Sequence, residues 1–164
     1  MIYLPSIMHS GTHLLRALIL RCGPQGRDAH SLHVNEIDYN TGDIGWPDNF
    51  KNNLVIAPLR HPSRMLASFE SRELEYNEFK QQWDEFIERV HPFVNQYLHI
   101  DMPIVRDQEV AKIGKLLDCE IVPDWSVNIK SGSMRGNHSR AINECPKAPK
   151  EYINFYYKTS DVSQ

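Results

Sequence analysis

Leu54-Val55-Ile56-Ala57-Pro58-Leu59 is an unbroken apolar run that ends abruptly in Arg60-His61-Pro62. A strand apolar on alternate and intervening positions alike needs cover on both of its faces, which a parallel sheet flanked by helices supplies. Pro62 suits the first turn of a helix, and Met65, Leu66 and Phe69 then give that helix an inward face. A unit of the same design opens the chain. Ile2, Tyr3 and Leu4 form a short β-favouring run, Pro5 and Ser6 break it, and Leu14, Leu15, Leu18 and Ile19 recur at helical spacing. Strand, turn and helix repeated in this way predict an α/β fold: one three-layer domain over residues 1–164 with a mostly parallel central sheet.

The rest of the chain fills in that plan. Cys22-Gly23-Pro24 stops the first helix, and Ser31 to Val34 is a short candidate strand. Asp38 to Asn53, with Gly42, Gly45, Pro47 and several Asn, reads as a loop, and a loop of that length is often functional. Glu70 to Glu75 is charged and solvated. Phe79, Trp83, Phe86, Ile87 and Val90 follow one helical stripe closed by Pro92, an aromatic stripe assigned to the core and not to a cofactor. Leu98 to Val105 includes a further strand, Val110, Ile113, Leu116 and Leu117 mark another amphipathic helix, and Tyr152 to Tyr157 a short helix after Pro146 and Pro149.

Composition narrows the function classes. A net charge of −3 gives no reason to expect nucleic acid as partner, so any anion site must be local. No apolar run approaches the ~20 residues of a membrane span, and no signal-peptide pattern opens the chain. Cys22, Cys119 and Cys145 are widely spaced without a CxxC, which predicts reduced thiols and a soluble protein of the cytoplasm. His9/His13 and His30/His33 can be drawn as metal pairs, yet no Cys or carboxylate cluster completes a site, so no metal is expected.

Ser10-Gly11-Thr12 sits where the first helix begins. Unpaired N–H groups and the positive end of the macrodipole meet there, and Gly11 allows close approach to the backbone, a natural seat for a phosphate. The alternative is an ordinary helix cap with no ligand. The loop is not the GxxxxGK[ST] of Mg-nucleotide hydrolases: Ser6 replaces the first Gly, Thr12 the Lys and His13 the metal-binding hydroxyl. Basic residue, Ser, Gly, Thr after a first strand instead resembles the 5′-phosphosulfate loop of sulfotransferases that use 3′-phosphoadenosine 5′-phosphosulfate (PAPS). His9 stands where that family has Lys or Arg, and the wording SGTHLLRALI is closest to the tyrosylprotein-type branch.

A second stretch, VIAPLRHPSRMLASF, resembles the family's 3′-phosphate site: strand, Arg60, a turn with Pro, and a helix carrying Ser68. A guanidinium fork and a hydroxyl together suit a terminal phosphate. The alternative is a surface Arg and a solvent-facing Ser. The loop Ile129 to Ser139, IKSGSMRGNHS, occupies the place of the family's phosphate lid, with Lys130, Gly132, Arg135 and Gly136 compatible and the usual Trp absent. The resemblance implies a P-loop-type phosphate loop and in-line transfer of a sulfuryl group from PAPS, as co-substrate, to a hydroxyl or amine on a small molecule, glycan or peptide. Ser10, Gly11, Thr12 and His13 would line the 5′ site, His9 would stabilise the leaving group, and His33, with His30 as fallback, would take the acceptor's proton. Sulfotransferase domains are commonly much longer, so the acceptor-binding region is reduced here, or the chain is a minimal or incomplete relative, or a binding module without turnover. A P-loop kinase or hydrolase is disfavoured by the missing Lys.

Overall fold

The structure, a computed structural model, describes residues 2–8, 10, 11, 14, 15, 18, 19, 46, 47, 50, 52–121 and 141–160, and the backbone of 37–41. Four strands, β1 (Ile2–Ser6), β2 (Ile37–Thr41), β3 (Leu54–Leu59) and β4 (Gln96–His99), form one sheet in the order β2-β1-β3-β4. Every pairing is parallel. With helices following β3 and β4, the class is α/β, as expected from the two strand–turn–helix units.

Two strand boundaries differ from the sequence expectation. β1 continues through Pro5 to Ser6, paired with β2 along its whole length. A proline removes one ladder N–H but favours the extended backbone, so it need not end a strand. More consequentially, Asp38 to Thr41 is strand and not loop: Ile37 to Thr41 pairs residue for residue with Ile2 to Ser6. Among the described residues β2 pairs only with β1, whereas β3 lies between two strands. The candidate strand at 31–34, the stop at 22–26 and the loop at 129–139 lie outside the described residues.

The helices are α1 (Pro62–Ser71), α2 (Tyr76–Glu85), α3 (Pro103–Leu116) and α4 (Lys150–Thr159). α2 runs on into a π-helical turn, Phe86–Val90, and a short 3₁₀ turn, His91–Phe93. Alternate residues of the strands enter two separate buried clusters. Val55, Ala57, Leu59 and Tyr97 join Met65, Phe69, Phe79, Trp83, Tyr152 and Tyr156. Ile56 and Leu98 join Leu4, Leu14, Leu15, Leu18, Ile19, Val110 and Ile113. The predicted aromatic stripe is core: Trp83 stacks on Tyr152 at 5.4 Å between ring centroids, and the Tyr152 hydroxyl donates to Asp84 Oδ1 at 2.6 Å, joining α4 to α2.

Cys119 is disulfide-bonded, its partner lying outside the described residues, and Cys145 is free. This corrects the expectation of three reduced thiols. Separation along a chain says nothing about approach in space, so wide spacing was no argument against a bridge. No helix among the described residues is long and apolar enough to cross a membrane.

Candidate functional site at the carboxyl ends of the central strands

From β1 the chain goes to β2 on one side of the sheet, and from β3 to β4 on the other. The order therefore reverses between β1 and β3. In open α/β sheets the crevice beyond the carboxyl ends at such a reversal is where ligands bind, because the two following loops diverge there. One wall is the segment after β1, containing Ile7, Met8, Ser10 and Gly11. The other begins with Arg60, directly after β3.

The first wall is held from several sides. Ser10 N–H donates to Ile7 O at 3.1 Å, and Leu15 N–H donates to Gly11 O at 3.0 Å, so a helical bond starts at Gly11. Gly11 has φ +99°, and a Cβ there would collide with Ile100 Cδ1, just past β4. The glycine thus serves a left-handed turn and close packing together. Gln82 on α2 is buried and accepts the Met8 N–H at 3.0 Å, while Trp46 Nε1 donates to Ser6 O at 3.1 Å. Ser10 is fully buried, and its hydroxyl has no hydrogen-bond partner among the described residues. A buried hydroxyl beside a helix start is the group a phosphate oxygen would satisfy.

Arg60 is only 2% exposed, far from the surface arginine of the alternative reading. Its neighbour in space is Asp101, two residues past β4. Asp101 Oδ1 accepts from Arg64 Nη1 at 2.7 Å, its Oδ2 accepts the His61 backbone N–H at 2.8 Å, and Arg60 Nε lies 3.9 Å from Oδ2. Burial lowers the Arg60 pKa and Asp101 opposes that shift, with Arg64 adding to it. His61 is the N-cap of α1, its Nδ1 accepting the Ser63 N–H at 3.1 Å. That bond requires an unprotonated Nδ1. Burial likewise lowers the His61 pKa, against the pull of Asp101. Ser68 is buried on α1, about two turns beyond the cap, and so is not the solvent-facing serine of the alternative.

Beside this cluster lies a buried network that no motif announces. His99, at the end of β4, has Nδ1 2.7 Å from Glu109 Oε2 and Nε2 2.9 Å from Thr159 Oγ1, and its backbone N–H donates to Glu109 Oε1 at 2.7 Å. The Thr159 hydroxyl also lies within hydrogen-bonding distance of the carbonyls of Phe155 and Tyr156, and the imidazole tautomer decides which partner of the Nε2–Oγ1 contact donates. With both ring nitrogens engaged and no exposure, His99 is a lock joining β4, α3 and α4, not a general base.

Of the residues expected from sequence to form the site, Ser10 and Gly11 stand at the end of β1, Arg60 at the end of β3 and Ser68 on α1. His9, Thr12, His13, His33, Lys130, Gly132 and Arg135 lie outside the described residues. Sequence reasoning passed over Asp101, Arg64, Gln82 and the His99–Glu109 pair. One signal was present: Glu109 falls four residues before Ile113 on a buried stripe, where a carboxylate demands a partner. A cleft of about 780 Å³ beside α3, lined by Asp107, Val110, Gly114, Lys115 and Ile121, follows a helix that runs back from the end of β4. Its lining also includes Asp118, Cys119 and Glu120, but none of its residues lies on the segments that follow β1 or β3 at the reversal of the sheet, and the chemistry is assigned to those strand ends instead. No group of His, Cys, Asp and Glu suited to a metal occurs among the described residues. Neither the family models, the curated proteins nor the solved structures contain a match to the chain.

Proposed function

We propose that this chain binds PAPS at the crevice between β1 and β3 and transfers its sulfuryl group to a hydroxyl or amine acceptor. The observation that carries the reading is the placement of a buried arginine, Arg60, and a buried unpartnered serine hydroxyl, Ser10, on the two segments that leave the sheet at its point of reversal. In this reading the loop after β1 is P-loop-type, the helices cover both faces of the sheet as three layers, Ser10 to His13 hold the 5′-phosphosulfate, and Arg60 with Ser68 holds the 3′-phosphate. Lys130, Gly132 and Arg135 close over the nucleotide. As the acceptor oxygen or nitrogen bonds to sulfur, the bond from sulfur to the bridging phosphate oxygen breaks, His33 takes the acceptor's proton and His9 steadies the departing charge. No metal is called for.

A second reading is a nucleotide-binding module without turnover. It is favoured by His9, whose imidazole is charged only when protonated, unlike the family's Lys or Arg. Calorimetry with adenosine 3′,5′-bisphosphate and 5′-AMP tests the common part. Binding of the bisphosphate much tighter than AMP, with about one to two decades lost in Arg60→Ala, is expected from one charge-assisted contact. Equal affinity for the two nucleotides rejects the site. Transfer of radiolabelled sulfate from PAPS to a panel of acceptors then separates enzyme from module.

A further inference from the structure

Asp101 holds the position that an anion would take. Its two carboxylate oxygens receive Arg64 Nη1 and the first free N–H at the start of α1, that of His61, while the Arg60 guanidinium flanks Oδ2. Two cations and a helix N-terminus converging on one point are the donor set that recognises phosphate or sulfate. The carboxylate side chain is 5% exposed, so the contact is internal and not a surface ion pair. Beside it stands a further donor. The Tyr156 ring packs edge-on against His61 at 5.4 Å, and its buried hydroxyl has no hydrogen-bond partner among the described residues. Burial first, and the Asp101 charge next, raise the Tyr156 pKa, so the hydroxyl stays a donor.

We infer that Asp101 is an internal stand-in for the ligand's anionic group, and that an incoming phosphate or sulfate binds by displacing this carboxylate from Arg60, Arg64 and the start of α1. From the proposed function the inference takes only that Arg60 receives such a group. Exchange of one anion for another makes affinity depend on the difference between two similar sets of charge-assisted bonds, so the site discriminates against singly charged anions, which gain nothing over the carboxylate. Tyr156 then adds a bond that Asp101 leaves unmade, favouring a tetrahedral anion with a spare oxygen.

The test is titration of wild type and Asp101→Asn with inorganic phosphate, at ionic strength matched with chloride, read by calorimetry and by melting temperature. With the carboxylate's charge gone, phosphate affinity is expected to rise about tenfold or more, and phosphate, unlike chloride, to raise the variant's melting temperature. Should Asp101→Asn be unfolded in chloride, the same titration is followed by circular dichroism, and phosphate is expected to restore the native signal by replacing the lost counter-charge. A phosphate response no larger in Asp101→Asn than in wild type, or a failure of phosphate to recover an unfolded variant, overturns the inference. A gain in Asp101→Asn together with equal wild-type affinity for adenosine 3′,5′-bisphosphate and 5′-AMP leaves the exchange standing and removes the nucleotide reading.

Discussion

Removing the Glu109 carboxylate tests whether the His99 network is as structural as its geometry implies. In Glu109→Ala, His99 Nδ1 and the His99 backbone N–H both lose their acceptor in a place where the two side chains are 0% and 2% exposed. Water cannot replace the lost acceptor without opening the joint between β4, α3 and α4. Breaking a buried pair on one side costs about 3–5 kcal/mol. For a protein of this size each kcal/mol moves the melting temperature by roughly 2–4 °C, so a fall of about 6–20 °C is expected. Glu109→Gln gives a sharper comparison. Its amide oxygen still accepts the backbone N–H, and its amide nitrogen can donate to Nδ1 of the Nε2–H tautomer, in which Nε2 donates to Thr159 Oγ1, so the loss should be nearer ~1 kcal/mol. Urea denaturation of the three proteins, analysed with a common slope, gives the energies directly. Equal losses in the Ala and Gln variants, or a loss below about 1 kcal/mol in Glu109→Ala, would refute the claim that the network locks the fold.

Gly11→Ala meets both a positive φ and the Ile100 side chain, and is expected to cost about 1–3 kcal/mol in strain alone. Combined with Ile100→Ala, which removes the obstructing atoms, it should cost less than the sum of the single variants by urea denaturation; strict additivity would show that the two do not meet. His61 titrates from an unfolded value near ~6.5 to a lowered folded value, so its contribution to stability is complete above that range and is lost as pH falls through it. Melting curves from pH 8 to pH 5 should show that decline, and His61→Asn, which keeps an N-cap acceptor, should flatten it without abolishing it because His91 is lowered too, by burial and then Lys158.

The parts of the fold legible in the sequence are those where burial imposes a pattern. β3 is covered on both faces, and its residues are apolar without interruption; α2 is covered on one side, and Phe79, Trp83 and Phe86 recur at helical spacing. β2 carries no such mark, since the parallel pairing of Ile37 to Thr41 with β1 satisfies backbone groups that any side chain possesses. The site divides in the same way. Arg60 was visible because it ends an apolar run, and Ser10 because it precedes a helical one. Asp101 was not: HIDMP has no periodicity, and its role depends on β3 and β4 lying side by side, which brings residues some forty positions apart into contact. Glu109 lies ten residues from His99 and Thr159 sixty, separations that no local pattern encodes.

Those separations also dictate a sequence of events during synthesis. The Gln82 oxygen that receives Met8 N–H is made 74 residues after Met8, roughly 4–15 s at ribosomal rates. The bond from Ala148 N–H to Ser63 Oγ spans 85 residues, and Asp84 waits 68 for Tyr152. Until α4 emerges, Trp83 lacks its stacking partner and His99 Nε2 lacks its hydrogen-bond partner Thr159. A nascent chain released before residue 150 would therefore expose an aromatic surface and a half-satisfied imidazole at once, a species suited to chaperone capture or aggregation. α4 supplies both the ring that stacks on Trp83 and the hydroxyl that meets His99 Nε2, so the two gaps are filled by one and the same segment.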